Sequence, residues 1–263
     1  MKTVVVTGAS TGIGEACARR FAARDWRVLA GVRKTGDAPA GTEEVLLDVT
    51  DAGAIAAAAG RVDRLDGLVD NAGIAVASPL EHLPLGELRR QLEVNVVGQL
   101  AVIQAFLPAL RAARGRIVLM GSIAGKSALP FLGAYAMSKH ALEAMADSLR
   151  VELAPDGIHV AIVEPGTIAT PIWTKPQENV EALPPEALTR YGARIQAFQG
   201  AAAGRAANAA PPQNVAAAVE HALTAREPKT RYLVGRDAKI RRTMERLPDR
   251  LRDRVISKAL LGG

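Results

Sequence analysis

The chain has 263 residues, a net charge of +6, and 49% apolar but only 3% aromatic content. This length suits one large α/β domain or two small ones, and so apolar a composition excludes a disordered chain. Cys17 is the only cysteine, which excludes an internal disulfide or a cysteine zinc site, and no stretch approaches the roughly 18 to 20 uninterrupted apolar residues of a spanning helix.

In chain order, residues 2–8 (KTVVVTG) form a β-branched run that predicts a strand, and residues 14–24 a helix. Strands follow at 26–33 (WRVLAGVR) and 43–50 (EEVLLDVT), then an alanine-rich helix from about Asp51 and a fourth strand at 65–73 (LDGLVDNAG). Residues 85–111 carry Leu88, Leu92, Val96, Leu100 and Ile103 at helical spacing. A fifth strand (114–122), a helix (135–153), a sixth strand (157–166) and a short seventh at 231–235 (RYLVG) complete the pattern. Strands apolar throughout and separated by helices indicate a parallel sheet covered on both faces. The expectation is one α/β domain over residues 1–263, Rossmann-like and doubly wound, with about seven strands. The interval 166–212 breaks the pattern with prolines at both ends and an Ala/Gly tract, so it reads as a substrate-binding loop and helix excursion, helical at about 185–199.

Charge and histidine are less telling. Much of the arginine falls in residues 236–258, interleaved with acids, which reads as a solvated helical face rather than a nucleic-acid surface. His82, His140, His159 and His221 show no metal-ligand spacing. The short apolar run at the start is a strand, not a secretion signal, so a cytoplasmic protein is expected.

The chemistry begins at VVVTGASTGIG, which sets Gly8, Gly12 and Gly14 between a strand and a helix. A backbone that turns sharply out of a sheet, passes close to a pyrophosphate and admits a tightly packed helix leaves no room for side chains, and the helix start offers free amides to the anion. The first two glycines stand two residues further apart than in the common dinucleotide fingerprint. TGASTGIG resembles the cofactor loop of the short-chain dehydrogenase/reductase family. The likeness implies an NAD(P)-binding fold with Gly8, Ser10, Thr11, Gly12, Ile13 and Gly14 at the dinucleotide. At the end of the second strand AGVRK offers Arg33 and Lys34 where an acid would grip the ribose hydroxyl of NAD, so NADP is expected, with Arg33 on the 2′-phosphate and NAD as the alternative. The same resemblance implies that Asp48 and Val49 lie near the adenine. It matches Asn71, Ala72 and Gly73 of DNAG to the family's NNAG, with Asp70 a departure of local consequence only.

In AYAMSKHALE, Tyr135 and Lys139 are four apart and share a helix face. An ammonium beside a phenol lowers its pKa toward a useful range, so Tyr135 could exchange a proton with a substrate oxygen. Ser122, at the end of the fifth strand, should face the same crevice. The family pattern adds Asn95, completing a catalytic tetrad of Asn95, Ser122, Tyr135 and Lys139; Asn95 would position a water linking Lys139 to solvent. It also implies nicotinamide contacts from Pro165, Gly166, Ile168 and Thr170, and ribose contact from Lys139.

Leu129, Pro130, Phe131, Leu132, Ile172 and Trp173 give the expected substrate end an apolar character, pointing to a small apolar ketone, aldehyde or secondary alcohol. The RYLVG strand and the tail are similar to the branch containing retinol and hydroxysteroid dehydrogenases. An acyl-carrier 3-oxoacyl reductase and a non-catalytic nucleotide-sensing protein are the alternatives. The resemblance also implies a homodimer or homotetramer through the helices at 85–111 and 135–153.

Overall fold

A computed structural model describes residues 1–173 and 183–261. Seven parallel strands lie in the order β3-β2-β1-β4-β5-β6-β7: β1 (Thr3–Thr7), β2 (Arg27–Val32), β3 (Glu43–Leu46), β4 (Gly67–Asp70), β5 (Arg116–Met120), β6 (His159–Pro165) and β7 (Arg231–Val234). Each matches an expected strand with its ends trimmed, because the polar or glycine residues at the margins turn out of the ladder. Alternate strand residues serve opposite cores. Val5, Leu68 and Ile117 pack with Phe106 and Leu142 beneath α4 (Gly98–Ala113) and α5 (Gly133–Glu152). Val4, Val6 and Val118 pack with Phe21 and Val219 beneath α1 (Gly12–Ala22) and a helix near the chain's end. Both faces are therefore dry, which is why the strands carry no polar alternation.

The remaining helices are α2 (Ala52–Ala59), α3 (Leu85–Leu92), α6 (Pro185–Ala206), α7 (Pro212–Thr224), which is the second cover of the α1 face, α8 (Arg236–Met244) and α9 (Asp249–Leu260). The single helix expected over 85–111 is α3 and α4 joined through a π turn at Glu93–Val97. By length and composition Leu85–Ala113 could cross a membrane. Here Val102, Ile103, Phe106 and Leu110 are buried in the core against the sheet.

In the 166–212 interval the helix runs further than expected, to Ala206, and Ile168 makes an isolated bridge to Ala210. Residues 174–182 and the Trp173 side chain lie outside the described residues. The α6 helix folds down on Phe131, whose ring meets Tyr191 and Phe198 edge-on at centroid distances of 6.2 and 5.6 Å. The basic tail forms α8 and α9, and it is not uniformly solvated: Ala238 and Leu260 are buried.

Candidate active site

The strand order reverses direction between β1 and β4, and in such sheets the loops leaving the carboxyl ends there part to opposite faces and open a crevice. A cavity of about 890 Å³ occupies this place. It is lined by Gly8, Ser10, Thr11, Gly12, Ile13, Arg33, Asp48, Val49, Asn71, Ala72, Gly73, Ser122, Tyr135, Lys139, Pro165, Gly166, Ile168 and Thr170. Of the site residues read from the sequence, only Gly14 and Asn95 stand behind this lining. Ile74, Ala75, Arg90, Met120 and Ile172 also line it, and no local sequence signal marks the first four.

Gly14 is required by close approach: a Cβ there would lie 2.1 Å from the Gly8 carbonyl oxygen and 2.6 Å from Asn71 Nδ2. Gly12 has φ +61° and faces Thr170, which joins the first turn to the segment after β6. Asn71 Nδ2 donates to the Thr7 carbonyl at 2.9 Å. The Thr7 hydroxyl accepts from the amides of Asn71 and Ala72 at 2.8 and 2.9 Å and donates to Asp70 Oδ1 at 3.1 Å. DNAG is thereby pinned to the end of β1.

Asp70 has a reach that its sequence position does not reveal. Its carboxyl is fully buried, and Oδ2 has no hydrogen-bond partner among the described residues. Burial pushes its pKa up to about 8, against the opposing pull of the Thr7 hydroxyl and the Lys139 ammonium. Burial likewise pushes Lys139 down to about 8, with Asp70 opposing. The departure from NNAG therefore acts on Lys139, beyond the local hydrogen bonding expected of it.

Ser122 starts a single 3₁₀ turn, its Oγ accepting from Ala124 N at 3.1 Å, and its hydroxyl is hydrogen-bonded to that of Tyr135. Lys139 Nζ donates to the Met120 carbonyl at 2.7 Å and lies 5.6 Å from the centre of the Tyr135 ring. Three side chains, one from the turn after β5 and two from α5, thus meet at one wall. The expected lowering of the Tyr135 pKa by Lys139 is not the net outcome in the protein. Burial raises it, and the Ser122 hydrogen bond and the Arg241 guanidinium pull it back.

Asn95 sits in the π turn, fully buried. Its Oδ1 accepts from Ile74 N at 2.9 Å, and its Nδ2 donates to Ile74 O and Ser138 Oγ at 3.0 and 3.1 Å. The side chain therefore ties α3–α4 to the DNAG loop and to α5. Arg33 is exposed at the end of β2, on the crevice. Asp48 accepts from the amide and hydroxyl of Thr50 at 2.9 and 2.8 Å, and those bonds together with Arg33 keep its pKa low.

Of the residues expected at the substrate end, Ile172 lines the cavity and packs with Ala75, Ala124 and Tyr135. Leu129, Pro130, Phe131 and Leu132 do not line it. Phe131 adopts φ +64°, a strained value for a bulky residue, and gives its ring to α6.

Two residues of the tail belong to this region although the sequence reading set them on a solvated face. Asp237 Oδ2 accepts from Thr167 N and Oγ1 at 2.7 and 2.8 Å, fixing the Pro-Gly turn after β6. A Cβ at Gly166 would meet Asp237 Oδ1 at 2.1 Å, so the glycine of that turn answers to α8. Arg241 Nη2 donates to the Ser127 carbonyl at 2.5 Å. Contacts some 70 and 114 positions apart leave no local pattern to find them by.

The short chain dehydrogenase family matches residues 2–181. The NADPH-dependent 3-dehydrocapnine reductase of Ornithobacterium rhinotracheale is 35% identical over 279 residues, covering 99% of this chain and 98% of that protein. Human retinol dehydrogenase 5 is 36% identical over 264 residues, covering 90% and 81%. A short chain dehydrogenase from Burkholderia cenocepacia J2315, solved in complex with NADP, superposes with a TM-score of 0.75 at 27% identity, covering 99% of this chain and 100% of that one. The chain belongs to the short-chain dehydrogenase family of oxidoreductases, on the branch that contains the retinol dehydrogenases.

Proposed function

We propose that this protein is an NADP(H)-dependent oxidoreductase acting between an apolar ketone or aldehyde and the corresponding alcohol, with Tyr135 as the acid/base. The observation that carries this reading is the meeting of Ser122, Tyr135 and Lys139 on the same cavity that the glycine turn opens into. The cradle fits a dinucleotide: Gly8 and Gly12 line the cavity with positive φ and put no side chain into it, and Arg33 stands at the end of β2 where an acid would favour NAD. The NADP in the Burkholderia structure and the NADPH in the name of the Ornithobacterium relative support the phosphorylated form.

Residues 8–14 would hold the pyrophosphate and Arg33 the 2′-phosphate. Asp48 and Val49 would flank the adenine, and Asn71, Ala72 and Gly73 would form the crevice floor. Lys139 would meet the ribose, and Pro165, Gly166, Ile168 and Thr170 the nicotinamide. The chemistry the dinucleotide supplies when bound is hydride transfer. The chain's own part is the proton. Ser122 orients the substrate oxygen toward the Tyr135 hydroxyl, which donates its proton during reduction and takes one during oxidation. Lys139, near the point of losing its own proton at neutral pH, reprotonates the site. Because the Asn95 side chain is committed to Ile74 and Ser138, its part is to hold the π turn, whose main chain is the place for a relay water.

The whole chain acts as one domain in this reading, with α6 and the described residues before it covering the substrate end. It works in the cytoplasm as a homodimer or homotetramer. The test is NADPH and NADH consumption across a panel of apolar ketones and aldehydes, with Tyr135→Phe alongside. That variant should lose at least about 100-fold in kcat while binding NADPH as before; full activity in the variant would overturn the role given to Tyr135.

A further inference from the structure

Alternate residues of β6 face α5: Val160 and Ile162 join the core beneath it, and Glu164 takes the next place in that row. A carboxylate therefore stands where the pattern calls for an apolar side chain, only 1% exposed. It faces a second acid, Glu143 of α5, 5% exposed and one turn beyond Lys139. The same guanidinium holds both. Arg231 of β7 donates to Glu143 Oε2 from Nε and Nη2 at 3.2 Å, and its Nε stands 3.5 Å from Glu164 Oε1. Lys126, just after the 3₁₀ turn that Ser122 starts, reaches Glu143 Oε2 at 2.9 Å. Arg231 also takes Asp147 Oδ1 at 2.6 Å, and Asp147 pairs in turn with Arg150. Even so, Glu143 Oε1 and both Glu164 oxygens are buried without a hydrogen bond among the described residues. Ionised carboxylates only accept, so two of them face to face leave these atoms unsatisfied and repel each other. One proton between them removes both costs. Burial and the Glu143 carboxylate accordingly push the Glu164 pKa up, against Lys126 and Arg231.

We propose that Glu143 and Glu164 share one proton and form a pH-sensitive lock behind the catalytic wall, closed while the proton is held and loosened when it leaves. The cluster ties together the segments that carry that wall. Glu164 directly precedes Pro165 and Gly166, Lys126 follows the Ser122 turn, and Glu143 shares α5 with Tyr135 and Lys139. Arg231 belongs to β7, whose Val234 carbonyl accepts from Gly166 N at 2.8 Å. The charged groups facing the pair are Lys126 from the turn after β5, Asp147 and Arg150 from α5, and Arg231 from β7. An opened chain releases the proton at the ordinary carboxyl pKa. The stability the lock contributes is therefore complete below about pH 4 and is lost as the pH rises through the raised value.

The inference stands apart from the proposed reaction, and its test needs no turnover. Glu164→Gln keeps the shape of the side chain and offers an amide N–H to Glu143 Oε1 in place of the shared proton, so the variant stays locked at every pH. Its melting temperature should gain on the wild type as pH rises, by up to about 3 °C for each unit over which the folded pair holds a proton that the unfolded chain has lost. Hydrogen exchange reads the lock itself. The amides of Gly125, Lys126 and Gly166 donate to the carbonyls of Ser122, Ile123 and Val234 at 2.8, 3.0 and 2.8 Å. In the wild type they should lose protection between about pH 6 and 8, by up to about tenfold per unit beyond the intrinsic change in rate, and in Glu164→Gln they should keep it. Should that variant fail to match the wild type by circular dichroism, Glu143→Gln supplies the N–H from the other side, and the wild-type exchange needs no variant. A melting gap that stays constant with pH, or wild-type protection that does not fall, would show that no proton is shared and that the lock does not exist.

Discussion

Replacing Asp70 with asparagine keeps the shape of the side chain and removes its charge. Thr7 Oγ1 can still donate to Oδ1, and the amide nitrogen takes the place of an oxygen that has no partner among the described residues. The substitution therefore isolates ionisation. In the folded protein burial holds the Asp70 carboxyl at about 8, against an ordinary 3.8. The stability this group permits is complete below about pH 4 and is lost as the pH rises through 8, because the unfolded chain ionises first. Each unit in that window costs about 1.4 kcal/mol, so the ceiling at pH 7 is roughly 4 kcal/mol. Lys139, held at about 8, is protonated in both states below that value and adds no slope there.

Asp70→Asn should consequently gain on the wild type as pH rises, by up to about 3 kcal/mol between pH 5 and pH 7.5. At roughly 2 °C per kcal/mol for a chain of this size, the gap between the two melting temperatures should widen by about 6 °C. Thermal unfolding followed by circular dichroism at the two pH values measures it. A gap that is the same at both would show that the carboxyl is already ionised in the folded state, and the rise in its pKa through burial would be refuted.

Two further outcomes test the cofactor cradle. Arg33→Asp should weaken NADPH binding by about 10- to 100-fold and turn the preference toward NADH, as loss of a charge-assisted phosphate contact predicts; fluorescence titration with both nucleotides checks it, and an unchanged ratio refutes the assignment. Gly14→Ala should destabilise the fold by at least about 2 kcal/mol and abolish dinucleotide binding, because its Cβ meets the Gly8 carbonyl at 2.1 Å. Wild-type melting and affinity in that variant would show that the turn can relax.

What could be read along the chain is what depends on short stretches. The inner strands were legible because a parallel strand buried on both faces must be largely apolar, and residues 4–6, 28–30 and 117–120 are. The glycine turn and the Tyr135–Lys139 spacing were legible for the same local reason, one by steric need and the other by helix periodicity. The π turn at Glu93–Val97 was not, since its hydrophobic spacing differs from that of a plain helix by a single residue. Phe131 seemed a substrate contact because an apolar side chain beside a catalytic tyrosine cannot be told, without coordinates, from one that pins α6.

The tail carries the sharper lesson. Charge interleaving at 236–258 describes most of α8 and α9 correctly as exposed, and the average conceals the residues that face inward. Asp237 and Arg241 are four apart and are directed at the Pro-Gly turn and the Ser127 loop. That spacing on one helix face is the one periodic clue available, and it becomes meaningful only once β7 has returned the chain to the edge of the sheet beside β6. The seventh strand thus does more than extend the sheet. It aims the first turns of α8 at the carboxyl end of β6, where the nicotinamide side of the proposed site lies, and a basic helix that composition assigns to solvent fixes the Pro-Gly turn and the Ser127 loop.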